Sequence, residues 1–146
     1  MKHPVVFPAA CLALLASAFA ATQPAQLTAA NAWLRATPGT DVAAVYLTLH
    51  NTGSEPVSII GVRSPIAADA MIHQSTVSGT VSSMRPALPL RIAPGATVRL
   101  APEGLHVMLH MLNHPLTAGE EVPLVLLLEG GSTLAVTAHV KALSEP

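Results

Sequence analysis

Apolar and polar side chains alternate along most of the chain. From Ala44 to His50, Val45, Leu47 and Leu49 fall on one face, and Tyr46, Thr48 and His50 on the other. Leu134 to Val140 repeats the pattern, with Leu134, Val136 and Val140 inward and Thr137 and His139 outward. A period of two is the mark of a half-buried strand, because successive side chains of extended backbone point to opposite faces. Six further segments read as strands: Val57–Arg63, Ala70–Thr76, Leu88–Ile92, Thr97–Ala101, His106–Leu112 and Val122–Glu129. Asn51-Thr52-Gly53, Ser78-Gly79, Pro94-Gly95, Pro102-Glu103-Gly104, Ala118-Gly119 and Gly130-Gly131 separate them and supply turn chemistry. Short strands at regular spacing predict an all-β, antiparallel sandwich or barrel. No repeat or linker divides the pattern, so residues 31–146 are expected to form one domain.

The first twenty residues obey a different rule. Lys2 and His3 open them, Val5 to Phe19 are mostly apolar, and Ala18-Phe19-Ala20 offers a small-x-small cleavage site. That layout predicts a signal peptide over residues 1–20. The apolar run is broken by Pro8 and falls short of the roughly 20 residues of a spanning helix, although a retained anchor is the alternative. Residues 21–30, rich in Ala, Thr and Gln, read as a flexible lead-in. Export would place the protein in the periplasm, with no membrane span after cleavage.

Removal of the leader changes the available chemistry. Cys11 is the single cysteine, and most of the apolar region follows it, which makes it a poor lipidation site. Without it there is neither a disulfide nor a thiolate. Seven basic residues face eight acidic ones, Lys2 departing with the leader, and Trp33 and Tyr46 are the only aromatics beyond it. Nucleic-acid binding needs phosphate-neutralising charge and stacking rings, so that class is excluded. Acidic residues are few and scattered, and no Ser/His/Asp arrangement or phosphate-cradling glycine loop stands out. The protein is therefore expected not to be an enzyme.

Histidine and methionine remain, with only His3 and Met1 of seven and five lost to the leader. The tightest cluster is His106-Val107-Met108-Leu109-His110-Met111. On a strand His106, Met108 and His110 share one face, and Val107, Leu109 and Met111 the other, which assigns Met111 to the core. Thioether sulfur is soft and uncharged and selects Cu(I) over harder ions. It also escapes oxidation to disulfide outside the cytosol. Zinc favours Cys, His and carboxylate, and a blue-copper site needs a Cys thiolate, so neither fits.

The spacing His73-x10-Met84-x21-His106-x-Met108 resembles the metal-binding signature of the periplasmic PCu(A)C copper chaperone family. Ala32-Trp33-Leu34-Arg35-Ala36-Thr37, Ala44-Val45-Tyr46-Leu47, Met84-Arg85-Pro86 and Gly104-Leu105-His106-Val107-Met108-Leu109 agree with it. The similarity runs from about Ala30 to Val140. It implies a cupredoxin-like, Greek-key β-barrel whose accessible Cu(I) is held by His73, Met84, His106 and Met108. It also implies delivery toward the CuA centre of cytochrome c oxidase, with a CuA-type oxidase subunit or a Sco-like thiol protein as partner. Two positions depart from the family pattern: His110 stands where Met is frequent, and Met111 where Gly is usual. The His/Met-rich C-terminal tail of some relatives is not seen.

Taken singly, each of these residues has a plainer role. His73 and His106 would be surface histidines, and Met84 and Met108 core fillers, although the stretch around Met84 is poorly apolar. Met71 reads as a wall of the site or as core, and His110 as a solvated strand histidine or an alternative ligand. His50, His114 and His139 read as surface, Arg85 as exposed, and Trp33 and Tyr46 as packing residues with polar tips. A copper store without a dedicated acceptor is the competing function. A copper-dependent enzyme would need substrate-facing groups that the sequence does not offer.

Overall fold

The computed structural model describes residues 26–145. The signal peptide, its cleavage site, Cys11 and residues 21–25 lie outside the described residues. Ten strands follow in order: β1 Leu27–Arg35, β2 Ala43–Asn51, β3 Val57–Arg63, β4 Ala67–Ser78, β5 Val81–Pro86, β6 Leu90–Ile92, β7 Thr97–Leu100, β8 Leu105–Leu112, β9 Glu121–Leu128 and β10 Thr133–Lys141. Among the described residues no helix is long and apolar enough to cross a membrane.

The strands join in one sheet ordered β5-β4-β8-β2-β1-β10-β9-β3-β6, with β7 also paired to β2. Every pairing is antiparallel except β1 with β10, which run parallel. Although β3 and β4 stand far apart in that order, they touch, so the sheet curls around a single core. The architecture is all-β and of the expected cupredoxin-like class.

Alternation does what it predicts where it is regular. Val45, Leu47 and Leu49 of β2 are buried, as are Val122, Leu124, Leu126 and Leu128 of β9 and Val136 and Val140 of β10. Burying a Val or Leu side chain of this kind contributes about 1.5–3 kcal/mol against leaving it in water. Three departures have local causes. Strand β1 begins at Leu27, inside the segment read as a lead-in; Leu27 is buried in the core. Its period is broken by Asn31, whose φ of 52° accompanies a register shift between Ala30 and Trp33, so Leu27 and Leu34 are out of phase. Strand β5 was hidden because all six of its side chains are exposed, leaving no alternation to read. Met111 is the third: it is 57% exposed, not core. Its φ of 53° turns its side chain out of the β8 pattern. That left-handed region favours glycine.

Candidate metal centre

The centre is built on the β4–β8 ladder. Inward, Ile72 faces Val107 and Ala70 faces Leu109, and three of these four are fully buried or nearly so, which fixes the register. With that register set, the outward face has no freedom. His73 stands opposite His106, Met71 opposite Met108, and Asp69 opposite His110. Directly opposed side chains in such a ladder have Cβ atoms about 4.5–5.5 Å apart. Hairpin β4–β5 adds the fourth residue: Met84 pairs with Ser75, the next outward position after His73. The diagonal from His73 to Met84 is therefore roughly 7 to 8 Å, within reach of a long, flexible thioether.

The side chains differ in exposure as donors to an accessible ion would. His106 is buried at 4% exposure, His73 and Met108 are half-buried, and Met84, on the edge strand, is 58% exposed. His106 donates Nδ1–H to the Gly104 carbonyl at 3.0 Å. Since a carbonyl only accepts, that bond fixes the tautomer and leaves Nε2 with a free lone pair. His73 Nδ1 is buried with no hydrogen-bond partner, an arrangement that costs about 1–3 kcal/mol unless something satisfies it. The rings of His73 and His106 are 6.1 Å apart, edge to face.

Electrostatics keep His73 ready to bind. Burial holds its pKa below the ordinary histidine value, and His106 and His110 push the same way, against a smaller opposing pull from Asp69. A neutral imidazole is the form that carries a lone pair for metal. On the β2 side of the ladder, Tyr46 lies 6.5 Å from His106 and Trp33 lies 4.7 Å from Tyr46. Arg35 and Lys141 stack over Trp33. Burial raises the Tyr46 phenol, with Arg35 opposing, so it stays protonated and serves as a rigid wall.

A cleft of about 630 Å³ lies around Gln26, Asn51, Pro56, Leu128 and Gly130, away from this chemistry. An ion needs converging donors and not a cavity, so the ladder, not the cleft, is the candidate site. As the side chains stand, no three His, Cys, Asp or Glu among the described residues are arranged to hold a metal. A nitrogen-and-oxygen site is thus not arranged in advance among the described residues.

Met111 apart, the residues outside the four-residue set lie as their plainer readings expect. Met71 is half-buried beside the ladder and Arg85 is exposed. His50 hydrogen-bonds Thr97 at 3.0 Å, while His114 pairs with Glu120 at 2.6 Å and His139 with Glu121 at 3.5 Å, all remote from the ladder. What the pattern did not anticipate is Asp69, opposite His110. β4 begins at Ala67, three residues before the expected start at Ala70, so Asp69 falls inside the strand where no alternation marked it.

A family model described as "Putative lipoprotein LpqE-like" matches residues 27–140, nearly the whole described chain. The chain belongs to the LpqE-like family. A relative in Leifsonia xyli subsp. xyli, "Putative lipoprotein Lxx21020", is 34% identical over 115 residues, covering 78% of this chain and 69% of the relative. Among solved structures, the Cu(I) form of DR1885 from Deinococcus radiodurans is 34% identical with a TM-score of 0.66, covering 86% of this chain and 85% of that one. The copper-bound PCuAC domain of PmoF2 gives a TM-score of 0.65 at 24% identity over 80% of this chain and 93% of that domain. This LpqE-like chain therefore has the fold of PCuAC domains, the family its His/Met spacing resembles.

Proposed function

We propose that this LpqE-like protein is an exported, periplasmic copper chaperone, a binding protein and not an enzyme. It holds one Cu(I) with His73, Met84, His106 and Met108 and delivers it toward the CuA centre of cytochrome c oxidase. The observation that carries this reading is the ladder register, which aligns His73 with His106 and sets Met108 and Met84 one outward step away on either side. The ligand chemistry supports it. Two imidazoles and two thioethers form a soft, neutral set that suits Cu(I) and discriminates against harder ions.

Neutral ligands also suit release. An acceptor thiolate enters through the open side at the exposed Met84, forms a stronger bond to copper, and displaces the thioethers one by one. A CuA-type oxidase subunit or a Sco-like thiol protein supplies such thiolates. The test loads the protein with Cu(I), mixes it with a stoichiometric apo CuA-domain acceptor, and follows acceptor absorption or NMR shifts. Transfer supports the chaperone reading. A donor that keeps its copper while the acceptor stays empty makes a store of it instead.

A further inference from the structure

The β4–β8 ladder carries donors that the Cu(I) set leaves unused. Beyond the Met71–Met108 rung lies the Asp69–His110 rung, on the same outward face. The rungs thus run from nitrogen at His73–His106, through sulfur, to oxygen and nitrogen at Asp69–His110. His73 is placed to serve both ends. Its ring centre is 6.1 Å from that of His106 and 6.2 Å from that of His110.

Those separations can be set against what a shared ion requires. A metal bound at a ring nitrogen sits about 2.0–2.1 Å from that atom, and so roughly 3.2 Å from the ring centre. Two imidazoles on one ion are then at most roughly 6.4 Å apart, centre to centre, and roughly 5 Å apart at a tetrahedral angle. The His73–His110 separation lies inside the upper bound, and a modest rotation of either half-buried ring closes it further. Asp69 is exposed and directly across from His110 in the ladder, where turning its carboxylate toward that point would displace no core residue.

We propose that His73, His110 and Asp69 form a second ligand set, sharing His73 with the first, and that this set takes Cu(II). Two imidazoles, a carboxylate and water from solvent make the nitrogen-and-oxygen donor set that tetragonal Cu(II) prefers. Cu(II) also stands at the top of the divalent affinity order, above Zn(II). Because His73 belongs to both sets, the ladder holds one ion at a time, at one end or the other. Copper in either oxidation state is then captured without a redox step on the protein. The proposal rests on the Cu(I) reading through His73 alone.

The full chain is titrated with Cu(II) alone against glycine as competitor, and the bound ion is examined by electron paramagnetic resonance. The expected result is one Cu(II) with hyperfine structure from two nitrogens. His110→Met, close in size, should lower Cu(II) affinity by about tenfold or more, and Asp69→Asn by a few-fold, the range seen when metal-site groups are altered. Both variants should leave Cu(I) affinity, measured against a Cu(I) chelator, within about threefold, and Met84→Ala should do the reverse. The proposal is overturned if the wild-type chain takes up no Cu(II), or if His110→Met leaves Cu(II) affinity unchanged. If His110→Met abolishes Cu(II) binding while Met84→Ala and Met108→Ala leave Cu(I) untouched, this inference stands and the four-ligand Cu(I) reading fails.

Discussion

Two ladders of the same sheet can be laid side by side. In β9–β10, Val122 faces Ala138, Leu124 faces Val136 and Leu126 faces Leu134, almost all of them buried. In β4–β8, Ile72 faces Val107 and Ala70 faces Leu109 in the same manner. The inner faces are interchangeable in kind. The outer faces are not: β9–β10 shows solvent Ala135, Thr137 and one His139–Glu121 pair, whereas β4–β8 presents three imidazoles, two thioethers and a carboxylate. One inner face fixes register in each ladder, and in β4–β8 that register then aligns donors that contribute little to folding. Stability and metal chemistry are therefore separable by substitution.

The largest effect should come from an inner position. Leu126→Ala, at a fully buried site in β9, is expected to cost about 2–5 kcal/mol in chemical denaturation through lost transfer energy and the cavity left behind. Where the folded form persists, its Cu(I) affinity should be unchanged. An outer position should give the opposite result. His73→Ala should lower Cu(I) affinity by more than about tenfold, judged by chelator competition. Its cost to stability should stay under about 1 kcal/mol, because the lost Nδ1 has no partner to leave behind. A large loss of stability in His73→Ala would show that the two faces are not independent.

Acid should act on the outer face before the inner one. His73 in the unfolded chain titrates near 6.5, and in the folded protein lower, chiefly through burial. Above about pH 6.5 it is neutral in both states and pH has no leverage through it. Below that value the unfolded state binds the extra proton first, so stability falls as pH descends toward the folded pKa. Protons also compete directly for the imidazole lone pairs, so Cu(I) affinity should decline over the same range, and only partly, since thioethers do not titrate. Affinity that is flat from about pH 8 to 5 would argue against histidine ligation. The smallest effect belongs to Met111→Gly, which places glycine where φ is 53° and should stabilise the protein by up to about 1 kcal/mol by relieving left-handed strain.

Most of the fold could be read from the sequence because alternation is a direct record of burial. Val57–Arg63 was legible to the residue, and β2, β8, β9 and β10 to within one residue at each end. Alternation failed where burial did not alternate: at β1, whose phase slips at Asn31, and at β5, exposed along its whole length. The candidate site was legible in two unequal parts. His106, Met108 and His110 follow from period two on β8, but nothing in a strand pattern couples them to His73, which is a matter of cross-strand register. Met84 sits on the strand that alternation could not find, and only its spacing within the family pattern marked it. Asp69 needed the pairing itself, since a lone exposed carboxylate carries no signal until His110 is seen across from it.

X-ray absorption at the copper edge of the Cu(I)-loaded protein tests the central claim most directly, because it counts sulfur and nitrogen neighbours of the ion itself. Two sulfur and two nitrogen scatterers are expected in the wild-type chain, falling to one sulfur in Met84→Ala and likewise in Met108→Ala. A wild-type spectrum with no sulfur shell, or one that neither methionine substitution alters, would contradict the assignment of His73, Met84, His106 and Met108.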